Sequence, residues 1–450
     1  MSEQAEPGLS EPFAQEDAAA RSGSVPEVPD GVPHVVVVGG GFAGVACVRA
    51  LADAPVRVTL VDRRIYNTFN PLLYQVASGG LNPGDVTYFL RSLHHRQPNV
   101  RVVHEHLVGV DAQARTITLL NDEVVHYDHL VLANGVTTNY FDTPGAKEHA
   151  FAMYSRSQAL KIRDTLFVRL EVAASTPRTD DGLRVVVVGG GPTGVEVAGA
   201  LAELRDQGLR PAYPEVDGDA FSVTLVQRGD EVLKSFLPRL RRYGAAQLRR
   251  RDVDLRLGAG VAAVHPDAVE LTDGTRIPSD LTVWATGVHP HPEVERWGLP
   301  LGHGGRIRVD REHRVEGVAD VYAVGDVSIS PDDLPQLAQP AIQAGGHVGK
   351  NIAALVAGGR TTPLHYLDKG TMAIIGRRAA IAQLFGKVPV TSGIAWLLWL
   401  FVHIMGLMGG RNRLTTLAGL VTRYGFPFHR RPVPIVGDVP TVRPPKPGKD

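Results

Sequence analysis

The sequence predicts an α/β chain: two parallel-sheet units of similar design, then a short helical segment suited to a membrane surface. Three observations carry this. "HVVVVGGGFAGVACVRALADAPVRVTLVDRR" from His34 reads strand, glycine turn, helix, strand. "RVVVVGGGPTGVEVAGALAELRDQG" from Arg184 repeats that order, and "FSVTLVQRG" supplies the second strand after an insertion. Near the C-terminus "GIAWLLWLFVHIMGLMGG" (393–410) is apolar and tryptophan-rich. A four-valine run bounded by glycines suits a strand covered on both faces of a parallel sheet.

The first copy places Gly39, Gly41 and Gly44 directly after a strand and at the opening of a helix. The first glycine permits the tight turn, the second lets the backbone approach a pyrophosphate, and the third lets helix pack on strand. The helix N-terminus then favours phosphate charge. Asp62, at the end of the next strand, is placed to accept hydrogen bonds from a ribose diol, and Arg63 follows it. Gly189, Gly191 and Gly194 repeat the pattern 150 residues later. Two such fingerprints in one chain predict two Rossmann-like dinucleotide-binding domains, one for FAD and one for a nicotinamide nucleotide. "LVLANGVTTNYF" (130–141), with Gly135, and "LTVWATGVHP" (281–290), with Gly287, read as the returning strands of the two units. "GVADVYAVGDVS" (317–328) ends a strand at Gly325-Asp326, where an aspartate reaches the ribityl and phosphate region of FAD.

The strand end of the second copy departs from the first. Where an acid usually stands, the chain has Gln227 and then Arg228. An acid there binds both ribose hydroxyls and repels a 2′-phosphate. Gln227 removes that repulsion and still hydrogen-bonds a hydroxyl, while Arg228 adds a charge that pairs with phosphate. The expectation is that NADPH is accepted alongside NADH. Arg228 turned to solvent, with NADH used regardless, is the alternative.

Composition narrows the remaining classes. The 450 residues give room for two or three domains, and zero net charge provides no field to gather nucleic acid. A single cysteine, Cys47, excludes an internal disulfide framework, a CxxC redox pair and a four-cysteine metal site. Cys47 lies within the first helix and reads as a small core residue. The 17 histidines are scattered, with His94-His95 and His289/His291 in expected loops, so no metal is predicted. Residues 1–33 are polar and acidic, read as disordered and without a signal peptide, which makes a cytoplasmic protein the simplest reading. The expected division is an FAD domain over 34–150 and 305–390 and an NAD(P)H domain over 151–304. A membrane-interface segment over 391–431 and a Pro-rich tail over 432–450 complete it.

At this level the chain resembles the type II NADH:quinone oxidoreductases, non-pumping respiratory NADH dehydrogenases of the two-dinucleotide-domain flavoprotein superfamily. "NPLLYQVASGGLNPGDV" (70–86), "LAQPAIQAGGHVGKNI" (337–352), "YLDKGTMAIIGRRAA" (366–380) and "WLLWLFVHIMGLMGGRNRL" (396–414) carry the likeness. It implies FAD with NADH or NADPH as substrate, and a quinone acceptor, menaquinone or ubiquinone. It places Ala338, Gln339 and Gln343 beside the flavin, Lys369 near its ring, and Glu196 on the nicotinamide side. Pro340 suits a helix's first turn, which sets the two glutamines four apart on one face. Glu196 and Lys369 are expected to pair, position the nicotinamide and tune proton delivery. The resemblance also implies quinone entry at the C-terminal end and a homodimer through that region.

The apolar 393–410 stretch is close to the minimum for a membrane span. Its bracketing glycines, and Arg411, Arg413 and the His429–Arg431 cluster, favour a helix lying on the cytoplasmic face instead. A buried helix or dimer interface is the plainer alternative. Because "TTLAGLVTRYGFPFHRRP" has no Trp, unlike many family members, weaker attachment is expected. Two further readings remain open: a soluble NAD(P)H-dependent reductase serving a protein acceptor, and a nucleotide-binding redox sensor.

Overall fold

The computed structural model describes residues 31–93, 95, 97–175, 183–214, 216 and 221–425. The expected tails, apart from residues 31–33, the His429–Arg431 cluster and His94 lie outside them. Contacts divide the chain into two units. One comprises the chain up to Ile65, Leu90–Gly135 and Pro292–His365. The other comprises Tyr66–Phe89, Val136–His291 and the chain from Tyr366 onward.

The first unit is built on a five-stranded parallel sheet in the order Val321–Ala323, His129–Leu132, His34–Val38, Arg57–Asp62, Val100–His104. The valine strand is central and buried along its whole length, as its unbroken apolar run requires. An antiparallel meander, Leu107–Asp111, Thr116–Leu119 and Val124–His126, closes one end of the core with Trp297 and Tyr127. The first fingerprint helix, Phe42–Ala50, packs on the Ala338–Val356 helix through glycines. A Cβ on Gly345 would stand 2.0 Å from the Ala43 carbonyl oxygen, and one on Gly349 would stand 2.6 Å from that of Cys47.

The second unit repeats the sheet: Ala150–Ala152, Leu281–Trp284, Arg184–Val188, Ser222–Gln227, Val253–Leu257, all parallel. Its own meander is Val261–Val264, Ala268–Leu271 and Arg276–Pro278. The second fingerprint helix, Pro192–Glu203, is covered by the Thr371–Gly376 strand, which Gly199 admits: a Cβ there would meet the Ile375 oxygen at 2.1 Å. The antiparallel strands Ala379–Leu384 and Val388–Thr391 lead into two helices, Ser392–Gly406 and Gly410–Gly425.

The units part from the expected domain boundaries at several points: residues 66–89, 136–150 and 366–390 group with the nicotinamide-type sheet, and 292–304 with the FAD-type sheet. The cause is packing: the short Leu73–Ala77 helix lies on the Arg156–Ser175 helix, and the Thr371–Leu384 hairpin lies on the second fingerprint helix. The 391–425 helices also belong to that unit and do not form a separate segment.

Candidate functional site

The FAD candidates, with Gln339 and Gln343, fall in the first unit, and the coenzyme candidates, with Glu196 and Lys369, in the second. In the first, Gly39 has φ +105° and lies so close to the returning strand that a Cβ would meet the Ala133 oxygen at 2.2 Å. A Cβ on Gly44 would be 1.8 Å from the Gly39 oxygen. Gly41, the N-cap of the helix, faces open space, and no side chain caps the helix end. An uncapped helix N-terminus at an open glycine favours a ligand's phosphate charge there. Asp62 is fixed below this turn: Gly40 N and Arg64 N donate to its two oxygens at 2.5 and 2.6 Å. Burial pushes its carboxyl above the usual range, and the two backbone donors pull against that. Arg63 is exposed.

Three other segments of the same unit carry the remaining FAD candidates. Gly135 (φ +68°) has nothing near its Cβ position. Gly325 (φ +75°) allows the chain to pass 3.2 Å from the Ala43 side chain before Asp326. Ala338 and Gln339 open the Ala338–Val356 helix, whose N-cap Leu337 makes no side-chain cap. Pro340 lies in that first turn, and half-buried Gln339 and Gln343 fall four apart. Open glycine positions, two uncapped helix ends and a tethered acid suit the pyrophosphate, ribose and isoalloxazine edge of FAD. Gly41, Asp62, Gly325, Asp326, Ala338, Gln339 and Gln343 would hold it.

The second unit reproduces the turn. Gly189 has φ +114°, a Cβ on Gly194 would stand 1.8 Å from the Gly189 oxygen, and Gly191 faces open space. The part that Asp62 plays is taken by Gln227, whose Oε1 accepts from Gly190 N at 2.8 Å. Arg228 next to it is exposed. Gly287 (φ +59°) follows the Leu281–Trp284 strand, and its Cβ position is filled by the Phe141 ring.

Glu196 lies one turn into the second fingerprint helix and is half-buried. Its Oε1 accepts from Ile374 N at 3.3 Å. Burial pushes the carboxyl up to about 8, against that backbone donor and the Trp399 indole, which favours its protonated form near neutral pH. The expected ion pair with Lys369 does not form among the described residues. Lys369 is exposed in the turn before the Thr371 strand, and Asp368 is tied to Gly370 N at 2.7 Å. A desolvated pair would bury both charges; here the carboxyl avoids the cost by keeping its proton.

Sequence reasoning missed the residues around that carboxyl. Tyr74, from the Leu73–Ala77 helix, is fully buried, and Gln75 Nε2 donates to its hydroxyl at 2.9 Å. Trp399 meets Tyr74 edge-on at 6.1 Å and stacks on His403 at 4.0 Å. The His403 ring shares a 2.8 Å hydrogen bond with the Trp399 carbonyl, and burial lowers its pKa to about 4, leaving it neutral. The family-type segments at 70–86 and 396–414 hold these residues, but the apolar run hides which of its side chains turn inward.

The two C-terminal helices leave apolar side chains uncovered. Ile394, Leu397, Phe401 and Met405 recur at three- and four-residue steps, as do Leu414, Leu417 and Val421. The second of these stretches is helical although it lacks Trp. No helix among the described residues is long and apolar enough to cross a membrane.

The pattern of the pyridine nucleotide-disulphide oxidoreductase family matches residues 33–345. The chain is 35% identical over 415 residues to the type II NADH:quinone oxidoreductase NdhA of Mycobacterium tuberculosis, covering 88% of each chain. It is 31% identical to the mitochondrial internal alternative NAD(P)H-ubiquinone oxidoreductase A1 of Arabidopsis thaliana, over 88% of this chain and 84% of that one. Its fold matches NDH2 of Plasmodium falciparum in complex with NADH at a TM-score of 0.81 and 19% identity, over 88% of this chain and 99% of the other. With paired fingerprints, a returning strand in each unit and similarity along nearly its whole length, the chain belongs to the type II NADH:quinone oxidoreductases, within the pyridine nucleotide-disulphide oxidoreductase family.

Proposed function

We propose that the chain takes hydride from NADH or NADPH and reduces a membrane quinone by two electrons, without pumping protons. The reaction balances as NAD(P)H plus quinone plus one proton, giving NAD(P)⁺ and quinol. FAD, when bound, supplies the step that accepts hydride and returns both electrons. The observation that carries the reading is the repetition of one nucleotide turn in two units of a single chain, with an acid at one strand end and an amide at the other.

The residues of this chain have the following parts in it. Gly39, Gly41, Gly44 and Asp62 would hold the adenosine half of FAD, and the uncapped helix at Ala338, with Gln339 and Gln343 in its first turns, would place a positive dipole end and amide groups beside the flavin. Gly189, Gly191, Gly194 and Gly287 bind the coenzyme, and Gln227 with Arg228 admits the 2′-phosphate of NADPH. Glu196 holds one proton ready for a quinone oxygen; its burial keeps that proton in place at neutral pH. Lys369, exposed and free of Glu196, is left to meet substrate from the solvent side. The uncovered faces of the last two helices bind the cytoplasmic face of the membrane. A homodimer through that region completes the reading.

The test is direct. The purified protein should be yellow with FAD absorbance and should oxidise NADH or NADPH when a short-chain quinone is added. Absence of quinone-dependent turnover sinks the reading. A flavin that bleaches but reoxidises only with a partner protein redirects it to a soluble reductase.

A further inference from the structure

Phe141 is 57% exposed and has φ +52°, and Asp142 after it has φ +51°. A bulky side chain in the left-handed region is strained, and a turn with two such residues ordinarily takes Asn or Gly. This turn is nonetheless held on all sides. Thr143 N donates to the Tyr140 oxygen at 3.0 Å, Phe141 N to Asn139 Oδ1 at 2.8 Å, and Asn139 N to the Gly287 oxygen at 3.2 Å. The indole of buried Trp284 donates to the Asn139 oxygen at 2.9 Å. The ring is thereby set against the turn that follows the Leu281–Trp284 strand: a Cβ at Gly287 would be 2.3 Å from Phe141 Cζ and 2.5 Å from Cε2. That edge rests on Gly287, while more than half of the residue stays open to solvent.

The Gly287 turn is also the rim of the second nucleotide turn. A Cβ at Gly189 would meet the Ala285 oxygen at 2.6 Å and Thr286 Cβ at 3.2 Å. Along the carboxyl edge of this sheet the order is Gln227, the Gly189–Gly191 turn, then Thr286-Gly287. Ligands of open α/β sheets lie outside that edge. A dinucleotide with its adenosine ribose at Gln227 and its pyrophosphate at Gly191 therefore runs its other half toward Gly287 and the ring set against it.

We propose that Phe141 is a further coenzyme-binding residue, whose ring packs against the nicotinamide ring of NADH and NADPH alike. A phenyl ring has no hydrogen bond to give. It offers a flat apolar surface, which fits a planar pyridine ring. The 2′-phosphate that separates the two coenzymes belongs to the opposite half, at Gln227, so the Phe141 ring sets affinity and not the choice between them. The strain of a left-handed phenylalanine is retained because no residue suited to that turn supplies such a surface. The inference rests on the coenzyme site proposed above and names the residue that meets the half of the coenzyme beyond the glycine turn.

Calorimetry on the oxidised holoenzyme compares NAD⁺ with ADP-ribose, which lacks only the nicotinamide. Phe141→Asn removes the ring and suits the left-handed turn, so the loop keeps its shape; Phe141→Tyr keeps the ring. The Kd for NAD⁺ should rise about fivefold or more in Phe141→Asn and stay within about twofold of the wild type in Phe141→Tyr. The Kd for ADP-ribose should stay within about twofold in both variants. In turnover, Phe141→Asn should raise KM for NADH and NADPH by the same factor. Equal weakening of NAD⁺ and ADP-ribose in Phe141→Asn overturns the proposal, because it makes Phe141 a support for the loop alone. Unchanged NAD⁺ binding in that variant, with the wild type binding both ligands, overturns it and leaves the coenzyme site standing. A wild type that binds neither ligand removes the coenzyme site itself, and the proposal with it.

Discussion

Gln227→Glu should make a coenzyme site proposed to accept NADPH reject it. Gln227 lies over the second glycine turn, its Oε1 accepting from Gly190 N at 2.8 Å and its Cβ and Cγ within 3.1 Å of where a Gly190 Cβ would be. Glutamate has the same shape and keeps the Gly190 bond, so the fold should not notice the change. What it adds is one negative charge at the position that faces the adenosine ribose in this type of turn. At about 5 Å and an effective dielectric of 20–40, a 2′-phosphate loses roughly 2–3 kcal/mol to that charge after screening. The ratio of kcat/KM for NADPH over NADH should therefore fall about 30- to 150-fold. Steady-state kinetics with both coenzymes and saturating short-chain quinone measure it, and raising the salt should shrink the effect. The reasoning is refuted if the wild type ignores NADPH, or if Gln227→Glu changes the NADH and NADPH values together.

Gly345→Ala should separate the two helices of the first unit, because its Cβ would meet backbone at 2.0 Å; we expect a loss of about 1–3 kcal/mol and a lower ratio of FAD to protein absorbance. Glu196 has its carboxyl raised to about 8, so its contribution to stability is full below about 4.5 and is lost as pH rises through 8. Glu196→Gln removes that loss, and its Tm should therefore gain on the wild type between pH 6 and 9 in thermal scans. Phe401→Glu alters a side chain 64% exposed, so folding should change little while co-sedimentation with anionic vesicles drops about tenfold or more and turnover with a water-soluble quinone stays within twofold.

Much of this could be read from the chain because the glycine turn is a local device. Gly39, Gly44, Gly189 and Gly194 stand where a Cβ would meet backbone at 1.8 to 2.6 Å, so residue type and conformation determine each other within a few positions. Gln227 was legible for the same reason: a strand end after a fixed helix has one address. The surroundings of Glu196 were not, since they come from three distant segments. Ile374, Tyr74 and Trp399 reach it by tertiary packing, and nothing in an apolar run such as "AWLLWLF" separates the Trp that turns inward from the Phe that turns outward. The expected Lys369 partner came from the resemblance alone; among the described residues Lys369 is exposed, and Glu196 is held by Ile374 N with its carboxyl raised by burial.

The duplication itself gives the sharpest view of where function resides. The turns of the two copies superpose in their constraints, with Gly44 and Gly194 each 1.8 Å from the first glycine's oxygen by their Cβ positions. Ala46 and Glu196 are therefore equivalent positions, as are Asp62 and Gln227. In the first copy the helix is flanked by a second helix whose glycines approach Ala43 and Cys47, and the small Ala46 introduces no charge beside a bound dinucleotide. In the second copy Gly199 admits a strand whose Ile374 N reaches the same turn of helix, and there a carboxyl is kept. One backbone solution thus serves two tasks. At the strand end, Asp62 and Gln227 accept from the N–H groups of Gly40 and Gly190, one with a charge and one without, which is the difference expected between the proposed FAD and coenzyme sites. At the helix, the first copy has Ala46 and the second Glu196, whose burial raises its carboxyl to about 8 and suits it to the proton-holding role proposed for it.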